Sequence, residues 1–141
     1  MQIVSVLTQF KLPQKCTDPS TFTIPCTIDE LTIVDALLDL GASINVMSSS
    51  VYHVLHLGEL KPPNVVIQLA NKSTAQPLGV LEDVLVKVDH LIFPADLYIL
   101  DMQDEHSIHR STLILGRLFL MIARTKIDVH SGPLLMEFDR K

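Results

Sequence analysis

The chain has 141 residues, of which 48% are hydrophobic and 19% charged, with a formal net charge of −5. This is enough apolar material for one packed domain, and it excludes wholesale disorder. The negative charge and the scattered Lys and Arg residues exclude a basic face, so we expect no direct binding to nucleic acid.

Residues 1–20 contain two prolines and polar filler, so we predict a loosely ordered lead-in followed by one structured domain over residues 21–141. The first residues lack the basic leader and the small-residue cleavage site of a signal peptide. No segment approaches the roughly 18 consecutive apolar residues of a membrane helix. We therefore expect no membrane contact and a cytoplasmic location. Cys16 and Cys26 are predicted to be free thiols, because one pair is not a disulfide framework.

Short β-strands are predicted for most of the remaining chain, a pattern typical of a small barrel or sandwich. The first half is predicted to contain strands Thr21–Ile28 and Leu31–Leu38, a break at Asp39–Ser43, strand Ile44–Met47, and helix Val51–His56 capped by Ser48-Ser49-Ser50. The second half is predicted to contain strand Val65–Leu69, a hairpin tip at Asn71-Lys72-Ser73, strands Val80–Val88 and Leu91–Leu100, a polar loop Asp101–Ser111, a buried strand Thr112–Gly116, helix Arg117–Ala123, and a hairpin of Ile127–Val129 with Leu134–Phe138.

One carboxylate stands at the mouth of an apolar strand. Ala36-Leu37-Leu38 leads directly into Asp39, and Gly41 lets the backbone turn tightly or approach another segment. Later in the chain a second apolar strand, Leu113-Ile114-Leu115, ends in Gly116-Arg117.

This pair of signals resembles the retropepsin family of aspartic proteases. The similarity is greatest to protease segments of plant Ty3/gypsy-type retrotransposon polyproteins, and it is carried by Phe22–Ile28, Asp39–Asn45, Gly58–Pro62, Glu82–Val88 and Ile114–Arg117. The resemblance implies an all-β, retropepsin-like acid protease barrel with one or two short helices. It also implies an aspartic endopeptidase that cleaves extended polypeptide, such as a polyprotein, without a metal or other cofactor.

The family's chemistry needs two carboxylates, one from each subunit of a C2 homodimer. At about 3 Å they cannot both ionise, so they share a proton and hold a hydrolytic water between them. The resemblance assigns the catalytic role to Asp39, the active-site loop to Leu40, Gly41 and Ala42, the second loop to Leu115, Gly116 and Arg117, and a substrate-covering flap tip to Ala70, Asn71, Lys72 and Ser73.

Leu40 and Ser43 both depart from the family pattern. Leu40 stands where Thr or Ser usually makes a reciprocal hydrogen bond across the dimer, which Leu cannot make. Ser43 stands where many viral members have an Asp that pairs with the Arg at position 117. Arg117 is therefore predicted to bind another carboxylate or a backbone carbonyl.

Other interpretations compete with the peptidase. Leu40 favours an inactive remnant that keeps the fold and acts only as a dimerising or peptide-binding module. A cellular retropepsin-like domain of the ubiquitin-shuttle type is a third possibility, but no ubiquitin-like or ubiquitin-binding segment is evident in the sequence. The pairs His53/His56 and His106/His109 have metal-ligand spacing, but nothing completes either site, so no metal is expected.

Overall fold

The computed structural model describes residues 2–7, 21–69, 72–101 and 112–130. Its strands are β1 (Gln2–Leu7), β2 (Thr21–Ile28), β3 (Leu31–Asp39), β4 (Asn45–Ser48), β5 (Val65–Leu69), β6 (Thr74–Ala75), β7 (Gly79–Val88), β8 (Leu91–Leu100) and β9 (Leu113–Leu115), and its helices are α1 (Ser49–Leu55) and α2 (Arg117–His130). Six strands close into a barrel in the order β2-β3-β9-β4-β8-β7, and β1-β5-β6 form a separate sheet. The predicted all-β barrel with one or two short helices is confirmed.

Two long hairpins supply four of the barrel strands. β2 pairs antiparallel with β3, and β7 pairs antiparallel with β8. Their turns place Asp29 and Asp89 at φ of 59° and 60°, a left-handed backbone that Asp tolerates better than most residues. Pro25 cannot donate a ladder hydrogen bond, and it lies at the register shift between Ile24 and Cys26. The strand therefore passes over Pro25, as predicted.

The short strand β9 lies between β3 and β4. It runs parallel to β3, with Leu38 opposite Leu115, and antiparallel to β4, with Met47 opposite Leu113. Because parallel strands finish at the same edge of a sheet, the residues that follow Leu38 and Leu115 come to lie together. This insertion brings the end of β3 next to the start of α2.

Among the residues that the structure describes, the barrel interior holds aliphatic side chains and two fully buried aromatic rings. Phe93 and Phe119 meet edge to face with ring centroids 5.3 Å apart. Phe119 and Ala123 bury one face of α2 in this core. A smaller group, which we call the second cluster, lies between the barrel and the β1-β5-β6 sheet and comprises Leu37, Ala42, Ile44, Val46, Ile67, Leu100 and Ile114.

Helix α1 begins where the serine run predicted a cap. The Ser48 hydroxyl accepts a hydrogen bond from the backbone N–H of Val51 at 3.4 Å, which satisfies one of the free amides of the first turn. The helix ends at Leu55, and His56 follows with a left-handed φ of 52°. The predicted helix was therefore placed correctly to within two residues at its start.

The N-terminal lead-in differs from the prediction. Gln2–Leu7, expected to be loose, forms β1 and pairs in parallel with β5, whereas residues 8–20 lie outside the described part of the chain. The segment contains Ile3, Val4 and Val6, which favour strands. Its partner lies far along the sequence, so the local pattern did not reveal the pairing.

The C-terminal prediction was wrong over Ile127–Val129. These residues belong to α2, which continues from Arg117 to His130 rather than ending at Ala123. The stretch between them, Arg124-Thr125-Lys126, contains no glycine or proline to end the helix, and Arg and Lys are good helix formers. The partner strand predicted at Leu134–Phe138 lies outside the described residues. In the described ranges, neither helix has the length and apolar character needed to cross a membrane.

The thiol of Cys26 is buried in the barrel core, and this burial raises its pKa to about 12. We expect iodoacetamide at mildly alkaline pH to leave Cys26 unmodified in the folded protein and to alkylate it after unfolding, because only the thiolate reacts. The unfolded thiol ionises at lower pH than the folded one. The contribution of Cys26 to the free energy of unfolding should therefore be fully present below the pKa of the unfolded thiol, and it should be lost as the pH rises towards 12. Peptide mapping of alkylated protein tests this, and rapid native modification of Cys26 would contradict it.

Candidate active site

The carboxylate of Asp39 is held at the end of β3, with only 1% of the residue exposed to solvent. Its Oδ1 accepts a hydrogen bond from the backbone N–H of Gly41 at 2.8 Å. The carbonyl of Asp39 accepts another from the N–H of Ala42 at 3.1 Å, which closes a tight turn. The loop from Asp39 to Ala42 therefore orients the carboxylate through its own backbone.

Gly116 packs directly against this first loop. A Cβ atom added to Gly116 would lie 2.4 Å from the carbonyl oxygen of Ile44 and 2.6 Å from that of Ala42. The next residue, Arg117, donates its backbone N–H to the Ala42 carbonyl at 2.8 Å. Only glycine fits at this point, because both neighbouring atoms belong to the backbone.

The side chain of Arg117 also holds the first loop. Its guanidinium group donates to the carbonyl oxygen of Leu40 at 3.1 Å. A backbone carbonyl was one of the two partners predicted for this residue. Because Arg117 is exposed, the bond adds little to global stability, but it helps to set the orientation of the Leu40 peptide.

The Leu40 side chain projects partly into solvent, with 37% of the residue exposed. It is thus an apolar group next in sequence to a buried carboxylate, at the position where the retropepsin resemblance implies that Thr or Ser is usual. Ser43, further along the loop, is half-buried.

Asn45 connects three segments at the base of the site, a role that sequence reasoning missed. Its Oδ1 accepts from the backbone N–H of Gly116 at 2.8 Å, and its Nδ2 donates to the carbonyl of Asp96 at 3.2 Å. Asn45 is only 3% exposed. The available signal was a lone amide in the apolar run Ile44-Asn45-Val46-Met47, because buried polar side chains are usually hydrogen-bonded.

Replacement of Asn45 by Leu is expected to lower the free energy of unfolding by about 2–3 kcal/mol, because it leaves the buried amide of Gly116 without its acceptor. Urea denaturation would measure the change. The matched control is Asn64→Leu on the exposed loop before β5, which should cost far less. Equal losses in the two variants would show that the Asn45 contacts carry no net stability.

The predicted flap region is a hairpin of β5 and β6. Gln68 pairs with Thr74, and Ile67 pairs with Ala75. Ile67 is fully buried in the second cluster, together with Leu37 and Ala42 on either side of Asp39. The hairpin and the segment that carries the carboxylate therefore contribute side chains to the same buried cluster. At the predicted tip, Lys72 adopts a φ of 74° and Ser73 is exposed, while Ala70 and Asn71 lie outside the described residues.

The structure thus brings together the two predicted loops, Asp39–Ala42 and Leu115–Arg117, although they lie far apart in the sequence. Within the ranges described, no three His, Cys, Asp or Glu residues converge in a way that could hold a metal ion. His53 lies on α1, with its ring 5.3 Å from that of Tyr52, and His106 and His109 fall outside the described residues.

Comparison with known proteins agrees with this geometry. A family model described as aspartyl protease matches residues 24–119, which include both loops and the hairpin. A crystal structure of the retroviral protease-like domain of Ddi1 from Leishmania major superposes with a TM-score of 0.53 and 17% sequence identity, covering 75% of this chain and 78% of that one. At this identity the likeness is one of fold. No curated protein matched the sequence. From the family match over most of its length and from its retropepsin-like barrel, the chain belongs to the aspartyl protease family.

Proposed function

We propose that this chain is one half of a homodimeric aspartic endopeptidase that cleaves extended polypeptide. The observation that carries the proposal is the buried Asp39 carboxylate, held by the Gly41 N–H in a loop whose Ala42 backbone packs against Gly116. The sequence contains one Asp-x-Gly. Because the chemistry uses two carboxylates, a site built from this chain needs a second copy related by a two-fold axis.

In that dimer the two Asp39 carboxyl groups share one proton. The ionised one takes a proton from a water molecule, and the resulting hydroxide adds to the scissile carbonyl carbon. The protonated one donates its proton to the carbonyl oxygen, which gives a neutral gem-diol. As the C–N bond breaks, the first carboxyl passes the proton that it took from water to the leaving nitrogen, and the second takes a proton back from a diol hydroxyl, so the pair again shares one proton. Neither a metal nor a covalent intermediate takes part in this sequence of steps.

The β5-β6 hairpin is proposed to cover the bound peptide. Its support is the burial of Ile67 in the second cluster, to which Leu37 and Ala42 of the Asp39 segment also belong. Closure of such a hairpin would exclude water and offer backbone hydrogen bonds to an extended chain. The tip, Ala70 to Ser73, would then contact substrate.

We further propose a retrotransposon origin of the plant Ty3/gypsy type, with a polyprotein as the natural substrate. The support is the ordered set of sequence stretches named above, from Phe22–Ile28 to Ile114–Arg117. The alternative is a remnant that dimerises or binds peptide without cleaving it. Leu40 is the observation that favours this alternative, since it removes the hydroxyl that steadies the two catalytic loops.

The direct test combines a cleavage assay with measurement of the oligomeric state. The full chain is incubated at acidic pH with a library of extended peptides, with and without pepstatin, while sedimentation measures the dimer fraction. Cleavage that is blocked by pepstatin and follows the dimer fraction is the expected result. A verified dimer that cleaves no peptide would reject the endopeptidase in favour of the remnant.

Leu40→Thr is expected to strengthen the dimer and to raise activity at low protein concentration. Each subunit would regain a hydroxyl for the reciprocal hydrogen bond. If the two bonds together make the free energy of dimerisation about 1.4 kcal/mol more favourable, the dimer dissociation constant falls about tenfold. Leu40→Val is the matched control, because Val has the shape of Thr without the hydroxyl. Sedimentation equilibrium of the two variants measures the difference, and identical constants would show that no such bond forms.

A further inference from the structure

The N-terminal strand β1 is attached to the molecule through one ladder. It pairs in parallel with β5, from Gln2 opposite Val65 to Leu7 opposite Leu69, and β5 is its only strand partner among the described residues. On its other side β5 pairs with β6. Both edges of β5 are therefore occupied, one by its own hairpin and the other by the start of the chain.

This ladder has the features of a weak pairing. It is parallel, it is short, and its register shifts between Ile3 and Ser5. Parallel pairing is slightly less stable per residue than antiparallel pairing, and a bulge interrupts the hydrogen bonds. Strands held by a single ladder open more readily than strands inside a barrel. We therefore expect β1 to separate from β5 more readily than a barrel strand separates from its partners.

Strand β5 shares a buried cluster with the proposed catalytic segment. Ile67 in the middle of β5 is buried in the second cluster, whose members include Leu37 and Ala42, which flank Asp39 in the sequence. Extended peptides bind proteins by adding a strand to an open sheet edge, with alternate side chains entering pockets. While β1 is in place, the backbone groups on this edge of β5 are used by the chain itself.

We propose that the edge of β5 is a binding site for extended, aliphatic polypeptide and that β1 is its resident ligand, which competes with an incoming chain. The ligand class follows from the resident sequence Ile3-Val4-Ser5-Val6-Leu7, which is aliphatic and largely β-branched. The proposal rests on the peptidase function, since the incoming chain would be its substrate. While β1 occupies the edge of β5 it then inhibits peptide cleavage, and displacement of the strand relieves the inhibition.

Peptide binding to the full chain tests this, in an Asp39→Asn background so that no cleavage occurs. One variant carries Ser5→Pro and Val6→Pro, which removes whichever of the two neighbouring N–H groups faces β5. The matched control carries Ser5→Ala and Val6→Ala and keeps both N–H groups. Hydrogen exchange reports the protection of Val65–Leu69, with Leu113–Leu115 in the barrel as an internal reference for folding.

The expected result is faster exchange over Val65–Leu69 in the proline variant, with the Leu113–Leu115 reference unchanged. A fluorescent peptide of sequence Gln-Ile-Val-Ser-Val-Leu, blocked at both ends, should bind the proline variant about tenfold more tightly than the control, as expected when the resident covers the edge in about nine molecules of ten.

Equal exchange and equal peptide affinity in the two variants would overturn the proposal. If dilution of the alanine control removes the protection of Val65–Leu69 from hydrogen exchange, β1 of a second copy is the strand that pairs with β5. That result would overturn the proposal that β1 of the same chain occupies this edge. Because binding is measured without turnover, these outcomes are independent of whether the wild-type chain cleaves peptide. An inactive wild-type chain would reject the endopeptidase but leave the result for the edge of β5 intact.

Discussion

Asp39→Asn is expected to abolish peptide cleavage while the barrel stays folded. Asn has nearly the same volume as Asp, and its side-chain oxygen can still accept the N–H of Gly41, 2.8 Å from Oδ1 in the parent chain. It cannot take a proton from water, and in a homodimer both reacting groups are lost together. General acid–base catalysis contributes about 10²- to 10⁴-fold, so we expect the rate to fall by at least about 10³-fold.

The control for this experiment is Asp35→Asn, four residues earlier on the same strand. Asp35 is exposed, so the same chemical change there should leave both the rate and the fold unaltered. Initial rates on one cleavable peptide compare the variants, and circular dichroism checks the fold. Residual cleavage by Asp39→Asn at the parent rate would show that another group carries out the reaction.

Gly116→Ala is expected to destabilise the protein by about 3 kcal/mol or more and to eliminate activity. The added methyl would lie 2.4 Å and 2.6 Å from the carbonyl oxygens of Ile44 and Ala42. Both are backbone atoms, so relief requires movement of the chain that continues from Asp39. Overpacking in a close-packed interior typically costs 1–3 kcal/mol, and here two contacts must be relieved at once. Thermal unfolding should show a midpoint lower by about 10 °C.

Gly58→Ala separates crowding from backbone strain. Gly58 has a φ of +116°, but nothing lies within 4 Å of its added Cβ. The Gly58→Ala substitution should lower the free energy of unfolding by about 1–2 kcal/mol, because of the backbone conformation alone, and it should leave cleavage unaffected. The combination of a larger stability loss and lost activity in Gly116→Ala would show that contact between the two loops positions Asp39. Similar behaviour of both variants would contradict that conclusion.

Several elements could be predicted from local patterns because their causes are local. Apolar runs bounded by turn residues predicted β7 and β8 to within one residue, and the serine run predicted the start of α1. The chemistry also has a local signature, since a carboxylate after three apolar residues and before Gly41 is unusual. The length of helix α2 was underestimated because the short Ile-Asp-Val alternation at 127–129 is compatible with either a helix or a strand.

Taken by itself, the amino-acid sequence determined the strand-rich character, the hairpin turns, and the residue types of the two loops. Only the tertiary structure decided that β9 lies between β3 and β4, that Asn45 bonds to a residue 71 positions away, and that β1 occupies an edge of β5. The physical reason is that side-chain periodicity reports which face of a strand is buried, whereas strand partners are chosen by hydrogen bonds and packing between distant segments.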